Sequence, residues 1–356
     1  MSDWLIYGAT GYTGALIARE ALRLGLSPII AGRSALAIEA LGKELGLRAR
    51  VILLDDPATI ASNLNGIDLV LNCAGPFSKT AEPMMAACLL RRAHYLDITG
   101  EIEVFERAHA HNEAAKAAGI VVCSGVGFDV IPTDCVAAML KDALPGATHL
   151  ALGFDGAQTL SPGTAKTMVE NLSSGGKIRR NGTIVSVPFG YGIRRIDFGA
   201  GPATAMAIPW GDVATAFYTT GIPNITVYAR TTRSAAILMR VLSLFRFLFR
   251  SRTLRGILTE RINASVHGPS EAVRTTGTTR VWGEARDGLG HVERIRLTTV
   301  NPYTLTVDGA LGVVRRLLTH PAPAGSTTPA RLMGSSFVLD LPGTKLEAQP
   351  VRYAMA

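Results

Sequence analysis

The sequence predicts an α/β chain with an N-terminal Rossmann-type, doubly wound parallel sheet and a second, mixed α+β part. Three observations carry this expectation. Over the first third, short apolar runs alternate with stretches of helical spacing, the order of strands joined by crossover helices. Those runs are apolar throughout rather than alternating, as in strands buried on both faces. After about Ser124 the texture changes: glycine and proline become frequent and strand-like pieces dominate. A chain of 356 residues is long enough for two domains. The division falls at 1–127 for the nucleotide-binding part and 128–330 for the α+β substrate part. The tail, 331–356, is expected to complete the first domain through its apolar run Phe337–Leu341.

Trp4–Tyr7 is the first predicted strand, and Ala15–Leu24 the first helix, stopped by Gly25. Pro28–Ala31 is the second strand. Ser34 can cap a helix through Leu45, which Gly46 ends. Val51–Leu54 is the third strand, and Pro57 suits the first turn of the helix that follows. Ile67–Cys73, Tyr95–Ile98 and Ile120–Cys123 are the next strands, separated by helices over Ala81–Arg92 and Ile102–Ala118. Later strands are expected at His149–Phe154, Thr183–Val187, Ile225–Tyr228, Thr279–Glu284 and Glu293–Thr299. Asn181-Gly182 marks a hairpin turn before the second of these.

Composition excludes several classes. Hydrophobic residues make up 47% and charged residues 18%, and mean hydropathy is +0.24, which is not the composition of a disordered chain. Aromatics are 6%, too few for a platform that stacks bases. Cys73, Cys88, Cys123 and Cys135 form no CxxC pair, so buried reduced thiols are expected and no metal site. The N-terminus has no basic leader and no run nears the ~18 apolar residues of a membrane span. The expected location is cytoplasmic.

The strongest motif is Gly8-Ala9-Thr10-Gly11-Tyr12-Thr13-Gly14, between the first strand and the first helix. Gly8 permits the tight turn, Gly11 lets the backbone approach a pyrophosphate, and Gly14 lets helix and strand lie close. The helix start offers unpaired N–H groups to phosphate. The second strand ends in Arg33-Ser34 where NAD enzymes usually place a carboxylate. A guanidinium beside a hydroxyl suits a 2′-phosphate, so NADP(H) is the expected cofactor. Asp55 ends the third strand, as an adenine-edge residue or a cap before Pro57. Cys73-Ala74-Gly75-Pro76 ends the fourth, a backbone wall along the cofactor.

Ligands in such sheets lie outside the carboxyl ends of the strands. Asp97, Glu101, Asp129 and Asp134 would converge there, as acids or bases or as holders of loop amides and helix starts. Tyr191 is a further candidate proton donor.

These motifs jointly resemble the saccharopine dehydrogenase-like oxidoreductases. The resemblance rests on the glycine turn, Asn72-x-x-Gly75-Pro76-Phe77, Tyr95-x-Asp97-x-x-Gly100-Glu101 and Gly127-Phe128-Asp129-x-x-Pro132-x-Asp134. Thr220-Gly221-Ile222-Pro223-Asn224, Asn301-Pro302-Tyr303 and Pro329-Ala330 resemble its branch of bacterial trans-acting enoyl reductases, which serve polyketide synthases lacking a reductase module. The resemblance implies NADP(H), an acyl-chain or other small-molecule substrate and an acyl-carrier or polyketide synthase partner. Reduction of a C–N bond between amino acids, as in saccharopine reductases, is the alternative reaction; it implies cations for the substrate carboxylates, and Lys166, Arg179 and Arg180 are candidates. A non-catalytic NADP(H) sensor or membrane-associated scaffold is the alternative of a different class. No tyrosine has lysine four positions on, against a short-chain dehydrogenase. No Cys/His cluster supports a zinc alcohol dehydrogenase.

Net charge is +8, and much of it is local. In 234–255, Ile237, Leu238, Val241 and Leu242 fall in one arc and Arg240, Arg246 and Arg250 opposite. That pattern fits peripheral membrane contact, an acyl-chain lid, an acidic carrier, a homodimer seam or plain packing. No nucleic-acid motif accompanies it.

Overall fold

The computed structural model describes residues 3–156, 175–243 and 268–347, with 256, 260, 261 and 265. Lys166 and residues 244–255 of the basic stretch lie outside the described residues. Element labels below count described elements only.

β1 (Asp3–Tyr7), β2 (Ile29–Gly32), β3 (Ala49–Val51), β4 (Ile67–Asn72), β5 (His94–Asp97) and β6 (Val121–Cys123) are parallel, and a seventh strand, Gly325–Ser326, joins β6. From that strand the order runs β6-β5-β4-β1-β2-β3. The reversal between β1 and β4 opens the crevice at which doubly wound sheets bind ligands. The connections are α1 (Tyr12–Arg23), α2 (Ala35–Leu45), α3 (Pro57–Asn63), α4 (Phe77–Arg91), α5 (Ile102–Ala110) and α6 (Asn112–Ala118).

Local chemistry accounts for the boundaries. Ser34 caps α2, which ends at left-handed Gly46 with φ 66°. Asp56 caps α3 by accepting the Thr59 amide at 2.9 Å, so the cap is not Asp55. The third strand is three residues earlier in its ending than the apolar run Val51–Leu54 suggests. Its register with β2 places Ala49–Val51 opposite Ile30–Gly32; beyond that stretch Ile52 is fully buried and Leu54 partly buried against the core. The single helix expected over Ile102–Ala118 is two, broken at His111.

α7 (Ile131–Ala143) leads to the second sheet. Its strands are β7 (Ala147–Asp155), β8 (Gly176–Arg180), β9 (Thr183–Val187), β10 (Arg194–Asp197), β11 (Pro202–Ile208), β12 (Asn224–Arg230), β13 (Thr278–Asp287) and β14 (Val292–Val300). Lys345–Leu346 adds a short last strand beside β14. The order is β10-β11-β12-β7-β13-β14, with the β8–β9 hairpin attached to β12. Asn181 and Gly182 turn that hairpin with φ 49° and 78°. Only β12 and β7 are parallel neighbours, so the sheet is mixed. The helices here are α8 (Asp212–Thr220), α9 (Arg233–Leu242), α10 (Glu271–Thr276) and α11 (Pro302–Thr319). Beyond Gly325–Ser326 (β15) come α12 (Pro329–Met333) and α13 (Phe337–Asp340). The apolar run at Phe337 is thus helical, and it packs on α7.

One apolar core joins the sheets. It runs from Ile6, Leu71 and Leu96 through Val136 and Leu140 of α7 to Leu152, Val281 and Leu297. α11 packs on α1 and carries Leu305, Leu311 and Val314 into the same core. α7 lies flat on the second sheet because Gly283 has no side chain: a Cβ there would sit 2.4 Å from Val136 and 2.7 Å from Leu140. Among the described residues no helix is long and apolar enough to cross a membrane.

Gly283→Ala is expected to cost about 1–3 kcal/mol through this overpacking, read as a lower urea midpoint. An unchanged midpoint would contradict the close approach of α7.

Candidate cofactor and active site

Two contacts in the glycine turn leave room for glycine alone, at Gly8 and Gly14. Gly8 has φ 80°, and a Cβ on it would lie 2.7 Å from the Ala74 amide nitrogen. On Gly14 a Cβ would meet the Gly8 carbonyl at 2.4 Å. At Gly11 the added atom would meet only the Gly8 oxygen, at 3.2 Å, leaving space on the outer side of the turn. α1 begins at the next residue with no side-chain cap. Its first amides and its positive dipole end face that space. Thr10 and Gly11 are exposed, and Tyr12 and Thr13 half-buried.

Arg33 stands at the carboxyl end of β2, exposed and without a carboxylate partner among the described residues. Ser34 spends its hydroxyl on the Ala37 amide at 3.4 Å. Asp55 is exposed. Burial raises the Tyr7 phenol, and the opposed fields of Arg33 and Asp55 both reach it, so the two charges flank one point at the ends of β2 and β3. After β4, Cys73, Ala74 and Pro76 are half-buried and Gly75 exposed. Asn72 accepts the Ala74 amide at 3.0 Å, and the Gly75-Pro76 peptide is cis. An exposed glycine turn, an uncapped helix start and a free guanidinium at the end of β2 fit an NADP(H) nucleotide.

The carboxylates divide by environment. Asp97 is fully buried at the end of β5. One oxygen accepts the amides of Thr99 at 3.0 Å and Gly125 at 2.9 Å. The other accepts the hydroxyls of Tyr95 at 2.9 Å and Ser124 at 2.8 Å. Burial raises its pKa, and those four donors pull it back. Glu101 accepts the amides of Phe77 at 2.8 Å and Ser78 at 2.7 Å. It thereby supplies the cap that Pro76 cannot give α4 and ties the β5 loop to the β4 loop. Asp134 is fully buried, accepts the Thr219 hydroxyl at 2.5 Å and the Ala330 amide at 2.9 Å, and is pushed up to about 6 by burial.

Asp129 differs. Its carboxyl lies against Gly100, where a Cβ would come within 2.5 Å of Oδ2. It is half-buried and no hydrogen bond reaches it from the described residues. Burial pushes its pKa up to about 7, because nothing near it favours the charged form. The β5 and β6 loops thus bring Asp97, Glu101 and Asp129 together.

They do not bring Tyr191. It lies exposed between β9 and β10, its hydroxyl accepting from Arg180 at 3.4 Å. Arg179 is 4% exposed and already spent on Val213 O, Gly182 O and Glu106. Its donors are committed to the fold, not to a substrate carboxylate. Tyr12 carries its side chain to the segment around Pro269, donating to Pro269 O at 2.6 Å and accepting from Arg274 at 3.0 Å. Nothing local in the sequence signals that partner. A cleft lined by Phe105, His109, Ser124, Tyr218, Thr327 and Arg331 lies beside β6 and β15, away from the glycine turn. Among the described residues no group of three or more His, Cys, Asp or Glu is placed to hold a metal.

Residues 4–123 match the family model described as the saccharopine dehydrogenase NADP binding domain. Over that span the chain is similar to the NADP-binding domain of the saccharopine dehydrogenases. The saccharopine dehydrogenase-like oxidoreductase of Mus musculus is 27% identical over 202 residues, 49% of this chain and 47% of that protein. The trans-acting enoyl reductase of Mycobacterium leprae is 33% identical over 141 residues, 37% of this chain and 34% of that protein. The chain thus matches between a third and a half of the length of these relatives. Apo saccharopine dehydrogenase (L-Glu forming) from Saccharomyces cerevisiae superposes with a TM-score of 0.60 at 11% identity, covering 98% of this chain and 100% of that one. That likeness shows a shared fold across both sheets.

Gly11→Val is expected to weaken NADPH binding about tenfold or more by filling the outer side of the turn, at a stability cost of about 1 kcal/mol or less. Fluorescence titration and a denaturation curve read the two effects. Unweakened binding would move the phosphates elsewhere. Asp97→Ala is expected to cost about 3 kcal/mol or more by stranding buried donors, seen as an earlier unfolding transition. A transition at the wild-type midpoint would show that the loops do not depend on it.

Proposed function

We propose that this chain is an NADPH-dependent reductase of acyl-type substrates, with an enoyl thioester as the preferred class and Asp129 as the proton donor. The observation that carries this reading is the Asp129 carboxyl. It stands beside Gly100 at the carboxyl ends of the strands whose first turn receives the nucleotide, and burial pushes its pKa up to about 7, so that a protonated fraction persists at neutral pH.

Reducing an activated C=C bond needs a hydride at one carbon and a proton at its neighbour. NADPH, when bound, supplies the hydride. The chain's own residues orient, exclude water and hold the proton. Asp129 carries that proton on its carboxyl, with no internal hydrogen bond to break before giving it up. Asp97 holds the loops at Thr99 and Gly125 on either side. Glu101 holds the start of α4 against the β5 loop. We therefore assign these two carboxylates to positioning and not to proton transfer. Arg33 selects NADPH through its 2′-phosphate.

The acyl class draws on the name of the mycobacterial relative. An acyl-carrier partner presenting the substrate in trans belongs to the same reading. Exposed Ile237, Leu238 and Val241 on α9 give the chain an apolar surface suited to such a substrate. The amino-acid reading is weaker because the donors of Arg179 are taken.

The test is NADPH oxidation against 2-enoyl thioesters, ketones and an amino acid paired with a keto acid. Turnover is expected on the thioesters, and turnover only on the amino-acid pair would reject the acyl reading. Asp129→Asn is expected to lower kcat about 100-fold or more with NADPH affinity unchanged. Wild-type kcat should fall as pH rises through about 7, as the proton is lost, and a flat profile would remove Asp129 from the mechanism. The same shift has a stability sign. A carboxyl whose folded pKa is raised from 3.8 to about 7 binds more protons folded than unfolded across that window. Stability therefore falls as pH rises through it, and Asp129→Asn should flatten that fall.

A further inference from the structure

A cation is held against the first residue of α1. Arg274, on α10, places Nη1 3.0 Å from the Tyr12 hydroxyl and 3.2 Å from the Pro269 carbonyl. Its guanidinium carbon is 5.9 Å from the Tyr12 ring centre. Tyr12 is the first residue of α1, so this charge is held on the side chain that opens the helix. It has no carboxylate partner among the described residues, and its Nε and Nη2 make no hydrogen bond among them. A half-buried guanidinium held at a helix start with donors to spare is arranged for an anion.

The surroundings hold it there. Gly268 lies flat on the Tyr12 ring, since a Cβ would come within 2.8 Å of it. Pro269 takes the Tyr12 hydroxyl proton at 2.6 Å. Tyr303 of α11 closes the other side edge-on, with ring centres 5.1 Å apart. Ser270 caps α10 and so fixes the turn that carries Arg274. Residues 268–276, from the second-sheet side of the molecule, thus close over the start of α1.

We propose that Arg274 is a phosphate-binding residue of the nucleotide site, contributed across the seam, and that it grips the pyrophosphate cradled by the Gly8–Gly14 turn. Nucleotide binding then clamps 268–276 onto α1 through the shared anion. This rests on the NADP-binding turn and not on the substrate or on Asp129.

The experiment compares two ligands on the intact chain. NADPH carries the pyrophosphate, and adenosine 2′-monophosphate lacks it while keeping the adenine and the 2′-phosphate. Arg274→Ala is expected to weaken NADPH about tenfold or more and adenosine 2′-monophosphate less than about twofold. Arg274→Lys should recover part of the loss by keeping the charge. NADPH, but not adenosine 2′-monophosphate, should slow hydrogen exchange of the amides in 268–276. An Arg274→Ala variant that binds NADPH as tightly as the wild type would overturn the proposal. So would equal weakening of both ligands, which would mark a general disturbance of the turn, or exchange in 268–276 that NADPH leaves unchanged.

Discussion

A single buried carboxylate organises the carboxyl ends of the first sheet. Asp97 leaves β5 with no exposure and takes two amides and two hydroxyls into its shell. An ionised group there is costly unless hydrogen bonds replace its water, so the loops after β5 and β6 are constrained to arrive with donors facing inward. Those loops carry Gly100, Glu101 and Asp129. Glu101 extends the constraint to the start of α4, and with it to the Ala74–Pro76 wall that faces Gly8. The nucleotide turn and the proposed proton donor are therefore held in one frame.

The same frame explains why neighbouring carboxylates behave differently. Asp134 is anchored by the Thr219 hydroxyl and the Ala330 amide. It joins α7, α8 and α12. Asp212 accepts from Thr133 at 2.8 Å, and burial with nearby Asp129 and Asp134 holds it well above the usual carboxylate range. Asp129 sits beside this acidic neighbourhood without a donor of its own. A carboxyl whose charged form is disfavoured by desolvation suits proton donation better than ion pairing.

Much of this was legible from local chemistry. The turn Gly8–Gly14, the strands that end at Asn72 and Asp97, and the Asn181-Gly182 hairpin all depend on short-range rules of periodicity and backbone freedom. The misplacements also have local causes. The apolar run Val51–Leu54 looked like a strand because Ile52 is a core residue, while pairing with β2 falls one turn of chain earlier. Both Asp55 and Asp56 could cap α3 by type, and only geometry selects Asp56. Arg179 looked like a ligand for carboxylate, but its partners Val213 and Glu106 lie far away in sequence. The Tyr12–Arg274 contact spans 262 positions, beyond any local pattern. The rise of Asp129 comes from what surrounds it, which no spacing encodes.

The most direct test of a reductase built on this frame is a single turnover with NADPH deuterated at the transferable position and a 2-enoyl thioester, product deuterium being read by mass spectrometry. The account expects one deuterium on carbon and stoichiometric loss of NADPH absorbance. NADPH that binds tightly yet stays unoxidised beside the thioester, with no deuterium in the acyl chain, would contradict it.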